Sequence, residues 1–270
     1  MQLYTKQDIH YFQFDNLIAE ENGRIQHAIF GRQGGVSPAP FASLNLSVSV
    51  PDAKERVYAN RNRAFGLFGH DTHSLVHAHL VHGRTVARVT SRNNGTWIEH
   101  VDGIITDEPG CGLTMNFADC TPIFVYDPVR PAIGLGHAGW QGCLADLPGA
   151  LVQAMQAEFG SQPDNLWAGI GPCIGSCCYE VGPAVIKAAG NAFDQPHQFL
   201  IPQPGRDRPH FDLPQANRHN LLRAGIPSEQ IEMAGICTAC RTDLFFSHRA
   251  ENGRTGRFGS IFLLNGADRT

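Results

Sequence analysis

The chain has 270 residues, 42% of them hydrophobic and 17% charged, with a formal net charge of -4. That balance supports a sizeable core and gives no basic footprint for a nucleic-acid backbone, so nucleic acid is not an expected partner. No run approaches eighteen consecutive apolar residues, which excludes a membrane-spanning helix. The opening Met1-Gln2-Leu3-Tyr4-Thr5-Lys6 lacks a basic-then-apolar leader, which sets the expectation of a cytoplasmic protein.

Taken in chain order, apolar runs and their breakers predict a strand at 25–30, a glycine-rich loop at 31–37 and a helix at 52–68. Strands follow at 75–81, 85–89, 103–106, 123–126 and 132–136, then a helix at 144–159. In that helix Leu144, Leu147, Leu151, Ala154, Met155 and Phe159 make one apolar face, and Gly160 is a stop. A strand at 166–170, a helix at 183–192, a proline-rich surface loop at 194–209 and a helix at 214–224 come next, with strands at 245–247 and 257–264. Motif-bearing segments lie on both sides of the 194–209 loop, so it is read as a loop and not a linker, and 1–270 as one domain. Strands outnumber helices and do not alternate with them. That pattern predicts an α+β layered sandwich of mixed sheets, not a doubly wound parallel sheet.

Three segments carry chemistry. Val81-His82-Gly83 ends a strand; Ala118-Asp119-Cys120-Thr121-Pro122 precedes one; His137-Ala138-Gly139-Trp140 follows one. Taken singly, His82 could be a core histidine, Cys120 an inert thiol and His137 a turn residue. Taken together, two imidazoles and a thiolate are a borderline-soft set suited to Zn²⁺, with Cu²⁺ as the competing ion. Three protein ligands leave a fourth tetrahedral position open, as in catalytic zinc sites. A ligating imidazole normally gives its other N–H to an acceptor, and Asp102 and Asp119 are the candidates.

The eight cysteines and the expected reducing compartment favour thiols or metal ligands over disulfides. Cys237-Thr238-Ala239-Cys240, with Cys173, Cys177 and Cys178, forms a rival set for a structural Cys₄ zinc. Adjacent Cys177 and Cys178 would diverge on a strand, so the reading prefers the first set. His73, His77 and His79 are read as surface residues or as neighbours of the true ligands. Arg32, in Gly31-Arg32-Gln33-Gly34-Gly35, and Arg249, Arg254 and Arg257 are possible anion clamps, since a guanidinium can hold phosphate by a bidentate fork.

In order along the chain, Arg32-Gln33-Gly34-Gly35-Val36-Ser37, Phe41-Ala42-Ser43-Leu44-Asn45-Leu46, Val81-His82-Gly83, Asp102-Gly103, Ala118-Asp119-Cys120-Thr121-Pro122, His137-Ala138-Gly139-Trp140, Gly169-Ile170-Gly171-Pro172, Cys178-Tyr179-Glu180-Val181-Gly182, Cys237-Thr238 and Thr255-Gly256-Arg257 resemble the laccase-domain family. That family is also described as multicopper polyphenol oxidases and now as purine nucleoside phosphorylases. The resemblance implies a single-domain α/β/β/α sandwich similar to a cysteine-hydrolase fold. It implies zinc on His82, Cys120 and His137, and phosphorolysis of adenosine, inosine, guanosine and methylthioadenosine to base and ribose 1-phosphate, with adenosine deamination beside it. The expected partners are a purine nucleoside and phosphate, in a monomer or homodimer. Asp119 and Asp102 are the expected proton carriers, and Arg32, Asn45, Arg249 and Arg257 the expected substrate contacts. The chain departs from the family at Leu80, where Gln is usual, at Gln141, where Arg is usual, and at Ser247-His248-Arg249, where Ser-Tyr-Arg is common. Two other chemistries use some of these residues: a cysteine hydrolase with Cys120 as nucleophile and His137 as base, and copper-dependent phenol oxidation. The latter wants paired H-x-H motifs, and His77-Ala78-His79 is the one present.

Overall fold

The computed structural model describes residues 1–21 and 23–266. It begins with β1 (Gln2–Lys6), β2 (Ile9–Gln13), α1 (Asp15–Glu21), β3 (Ile25–Phe30), α2 (Lys54–Gly66) and β4 (Leu75–Ala78). There follow β5 (Val86–Arg88), β6 (Trp97–Ile98), β7 (Gly103–Thr106), β8 (Gly112–Phe117), β9 (Thr121–Asp127) and β10 (Ala132–Ala138). The remainder is α3 (Trp140–Leu144), α4 (Leu147–Phe159), β11 (Trp167–Ile170), α5 (Pro183–Ala192), β12 (Leu200–Ile201), β13 (His210–Phe211), α6 (Leu213–Arg223), β14 (Ile231–Met233) and β15 (Phe258–Leu264).

The strands form a seven-stranded sheet in the order β1-β2-β3-β15-β8-β4-β6 and a six-stranded sheet in the order β14-β11-β9-β10-β7-β5. Both are mixed: β4 runs parallel to β6 and β8 while β15 is antiparallel to β3 and β8. In the smaller sheet β5 and β7 are parallel, and β10 is antiparallel to β7 and β9.

Strand periodicity explains why the sheets stack. Successive side chains point to opposite faces, and in β15 Phe258 and Phe262 join one buried cluster while Ile261 and Leu263 join another. In β9, Phe124 and Tyr126 share the cluster of Phe258, whereas Ile123 and Val125 pack with Leu151 and Met155 of α4. The shared cluster therefore lies between the sheets. Helix α2 covers the outer face of the larger sheet through Ala64 and Phe65. Helices α4 and α6 cover the smaller one through Leu151, Val152 and Leu221. The layers run helix, sheet, sheet, helix. Gly134 of β10 makes that last contact close, since a Cβ there would sit 3.2 Å from Met155 Sδ and 3.3 Å from Leu151 Cγ.

The strands expected at 25–30 and 103–106 and the helix at 183–192 match their observed bounds. The helix expected at 144–159 is two pieces. Asp146 adopts φ 64°, a left-handed turn, and its carboxylate accepts the Gly149 N–H at 3.1 Å to start α4 afresh. The strand expected at 75–81 stops at Ala78, because the next residues turn toward the other sheet. Residues 245–247 are not a strand; Phe245 and Phe246 are fully buried on an irregular segment that fills the space between the sheets. The 194–209 stretch is mostly exposed, as expected, but contains a single 3₁₀ turn and β12. Among the described residues no helix is long and apolar enough to cross a membrane.

Candidate metal centre

Three times the chain leaves the larger sheet for the smaller: between β4 and β5, between β6 and β7, and between β8 and β9. His82 lies on the first crossing, Asp102 at the end of the second and Cys120 at the end of the third. His137 stands near the end of β10, whose register pairs Gly136 with Gly103 and His137 with Pro122. Adjacent strands thus deliver residues distant in sequence to one edge of the sandwich.

The crossings are held by two carboxylates. Asp102, fully buried, accepts the backbone N–H groups of Val81 at 3.2 Å, His82 at 3.0 Å and Gly83 at 2.7 Å. It also faces His137 Nδ1 at 3.2 Å. Burial alone would raise the Asp102 carboxyl, but hydrogen bonds from His137, Gly83 and His82 outweigh it and hold the group below its usual range. Asp119 adopts φ 84°, a conformation rare without glycine. Its side chain accepts the Thr238 hydroxyl at 2.7 Å and the Arg249 N–H at 2.6 Å, and its carbonyl accepts the Ile174 N–H at 3.0 Å. His82 is likewise left-handed, at φ 62°, fastened through its N–H to Asp102. Surroundings that over-determine such backbone are common at functional sites.

The potential ligand atoms of His82, Cys120 and His137 lie within 4.8 Å of one another. Burial pushes the Cys120 thiol up, yet the imidazoles of His137 and His82 bring it down to about 6. Burial would lower His137, but the Cys120 sulfur and the Asp102 carboxylate raise it to about 9. With Nδ1 turned to Asp102, Nε2 is the nitrogen left for a metal. Gly139 admits the thiol: a Cβ there would sit 2.8 Å from Cys120 Sγ. The donor set and its spacing fit a borderline metal such as zinc.

These residues line a cavity of about 910 Å³. Arg249 and Arg257 are on its wall, with His248, Trp140, Tyr179 and Gln141. The Arg249 guanidinium lies 5.1 Å from the Tyr179 ring centroid and donates to the Glu180 carbonyl at 2.9 Å. Arg257 is lowered by burial against the opposing pull of Cys120, Asp119 and Glu251. Arg32 and Asn45 are not brought to the cavity. Arg32 donates to the carbonyls of Ala42 at 3.0 Å and Thr242 at 2.7 Å, pairs with Glu251 at 3.1 Å, and stacks 4.5 Å over Phe246. Asn45 is buried and bonds Ser47, Asp52 and the Arg257 N–H, so it shapes the wall from behind. His77 is buried against Trp97, ring centroids 4.8 Å apart, and exposed His79 pairs with Glu99. Tyr179 and Trp140 also line the cavity; neither was expected as a substrate contact, although each stands within one of the matching motifs, Cys178–Gly182 and His137–Trp140.

Residues 26–265 match the family described as multi-copper polyphenol oxidoreductase laccase. The chain belongs to this laccase-domain family. It is 36% identical over 259 residues to the purine nucleoside phosphorylase YlmD of Bacillus subtilis, covering 92% of this chain and 93% of that one. It is 37% identical over 235 residues to the purine nucleoside phosphorylase YlmD of Geobacillus stearothermophilus, covering 84% and 85%. The crystal structure of the Bacillus licheniformis hypothetical protein YfiH superposes with a TM-score of 0.89 at 33% identity, over 97% of this chain and 99% of that one. The layered mixed fold is thus the fold of the laccase-domain proteins.

Proposed function

We propose that this chain is a zinc-dependent purine nucleoside phosphorylase that also deaminates adenosine. The observation that carries the reading is the closure of His82, Cys120 and His137 to within 4.8 Å on the wall of a nucleoside-sized cavity that also presents Arg249 and Arg257. Similarity to relatives named purine nucleoside phosphorylase supplies the substrate class. The whole of 1–270 acts as one domain, in the cytoplasm.

His82, Cys120 and His137 would hold the metal, zinc in preference to copper because His77 and His79 are engaged elsewhere and provide no paired copper site. Bound there, zinc supplies a Lewis acid with an open coordination position. Asp102 fixes the His137 tautomer and shapes the 81–83 turn; Asp119 places Arg249 through its backbone. Arg249 and Arg257 hold phosphate, and Trp140 and Tyr179 offer flat apolar walls to the purine. Leaving-group charge develops on the base during phosphorolysis, so a proton must reach it. Asp119, which borders Cys120 inside the cavity, is assigned to carry it once substrate displaces one of the two donors, Thr238 and Arg249, that its oxygens now face.

A second reading has its own observation. Cys120, His137 and Asp102 also align as thiolate, imidazole and orienting carboxylate, the order a cysteine hydrolase uses. Inosine plus phosphate, assayed for hypoxanthine, and adenosine, assayed for inosine, test the first reading. Activity in both that is lost on chelation and in His82→Ala supports it. No hypoxanthine from zinc-loaded protein overturns it, and chelator-stimulated amide hydrolysis would establish the second.

A further inference from the structure

A second constellation of metal-binding atoms lies outside the cavity's His-Cys-His set. Residues 173–179 and 236–241 are strapped together: Cys173 and Cys237 form a parallel bridge, the Cys173 N–H donates to the Ile236 carbonyl at 3.3 Å, and the Thr238 N–H donates to the Cys173 carbonyl at 3.0 Å. Residues 176–178 form a turn and not a strand, with the N–H groups of Cys178 and Tyr179 both reaching the Gly175 carbonyl at 3.0 Å. The expected divergence of Cys177 and Cys178 therefore does not occur. On the facing segment, Cys237-Thr238-Ala239-Cys240 curls so that the Arg241 N–H meets the Cys237 carbonyl at 3.0 Å. The two turns bring four sulfurs, those of Cys177, Cys178, Cys237 and Cys240, within 4.8 Å of one another.

We infer that these four cysteines form a structural tetrathiolate site for a single zinc ion. Tetrahedral zinc with Zn–S bonds of about 2.3 Å sets its sulfurs about 3.8 Å apart. Here Cys177 and Cys240 sulfurs stand 3.4 Å apart and those of Cys178 and Cys240 3.3 Å apart, so a small outward movement completes the tetrahedron. A cubane iron–sulfur cluster holds its cysteines farther apart than this and does not fit. The Gly175 N–H already donates to Cys237 Sγ at 3.3 Å, the kind of contact that steadies a metal thiolate. Cys173, although near in sequence, is buried beneath the turn and is not one of the four. Four protein sulfurs close the coordination sphere, so the site is structural and not catalytic. Its place gives it a purpose. Cys237 precedes Thr238, which holds Asp119, and Cys178 precedes Tyr179 on the cavity wall. The zinc would lock two loops on which the cavity depends.

The inference is independent of the activity proposed above, and Cys120→Ala separates the two sites. The full chain carrying Cys120→Ala, purified from zinc-supplemented cells, is expected to retain one zinc per chain. Adding Cys237→Ser and Cys240→Ser should remove it. No zinc in the first variant, or one still bound in the second, overturns the proposal. Should the triple variant fail to fold, the Cys120→Ala protein answers alone. X-ray absorption should give four zinc–sulfur bonds of about 2.3 Å, and mixed nitrogen or oxygen ligation would sink the assignment. Denaturation in chelator without reductant should expose seven titratable thiols in that variant; three would mean that the four cysteines are paired as two disulfides instead, and five that one pair of them is.

Discussion

Asp102 does two tasks with one carboxylate. It orients His137 through Nδ1 and gathers three backbone N–H groups from 81–83, the turn that presents His82. An asparagine would fit the space but would set an N–H₂ group against donors that need acceptors. Asp102→Asn should weaken zinc binding about 10- to 100-fold, the usual penalty for losing such a supporting group. Chelator competition measures it; unchanged affinity would show that the carboxylate does not support the metal. Gln141 is exposed at the cavity, where an arginine is usual for the family the chain resembles. Gln141→Arg should lower KM for phosphate by up to about fivefold, because an exposed ion pair contributes at most about 1 kcal/mol. The kcat should stay within about twofold, as such a contact is made equally in ground and transition states. Steady-state kinetics in phosphate decide, and an unchanged KM rejects Gln141 as a phosphate-side position.

Among the elements, the strand-to-strand crossings make the site, and they show what was legible in the sequence. Glycine flanking His82 and His137, and the place of Cys120 just before an apolar run, marked those residues as lying at strand ends. Their juxtaposition depends on β7, β9 and β10 being neighbours, and β9 and β10 are joined in sequence. That β8 and β9 belong to different sheets was not legible, because sheet membership is set by partners far along the chain. The β1–β2 hairpin turns on Gln7 and Asp8, both at positive φ, without the Asn-Gly pair that announces such turns. Arg32 looked like an anion fork because its partners, Thr242 and Glu251, lie some two hundred residues away. Gly139, by contrast, has a local signal and a testable geometry. Gly139→Ala would place its Cβ against Cys120 Sγ and should cost about 1–3 kcal/mol of stability, as overpacking does, while reducing zinc retained at equal free zinc. Gly136→Ala, three residues earlier in β10, is the control, since its Cβ would meet neighbours no closer than 3.5 Å. Denaturant melts and metal analysis of the pair compare them; equal behaviour would mean that the thiol does not need the gap.

At the scale of the whole molecule, the stacked sheets carry two neutral histidines at the cost of acid stability. His27 is fully buried; its Nε2 accepts the Phe14 N–H at 2.8 Å, and the Phe14, Phe124 and Phe262 rings surround it. Burial pushes it down to about 3, and burial with the nearby Arg61 charge pushes His77 down to about 4. An unfolded histidine takes its proton near pH 6.5. Between that value and the folded ones, the unfolded chain binds more protons than the native one, so stability falls as pH falls. From pH 7 to pH 5 each residue should remove about 2 kcal/mol. In metal-free protein the Cys120–His137 pair moves both ways in this window. The raised imidazole's contribution is fully present below pH 6.5, whereas the lowered thiol loses its own as pH drops through about 6, so the pair adds to the fall and does not offset it. The two histidines together set the expectation of a fall of about 4 kcal/mol or more, read from urea unfolding at the two pH values. Histidine ring resonances followed by NMR locate the cause. Those of His27 and His77 should hold their neutral positions at pH 5, and a titration of either between pH 6 and 7 would place the acid sensitivity elsewhere in the fold.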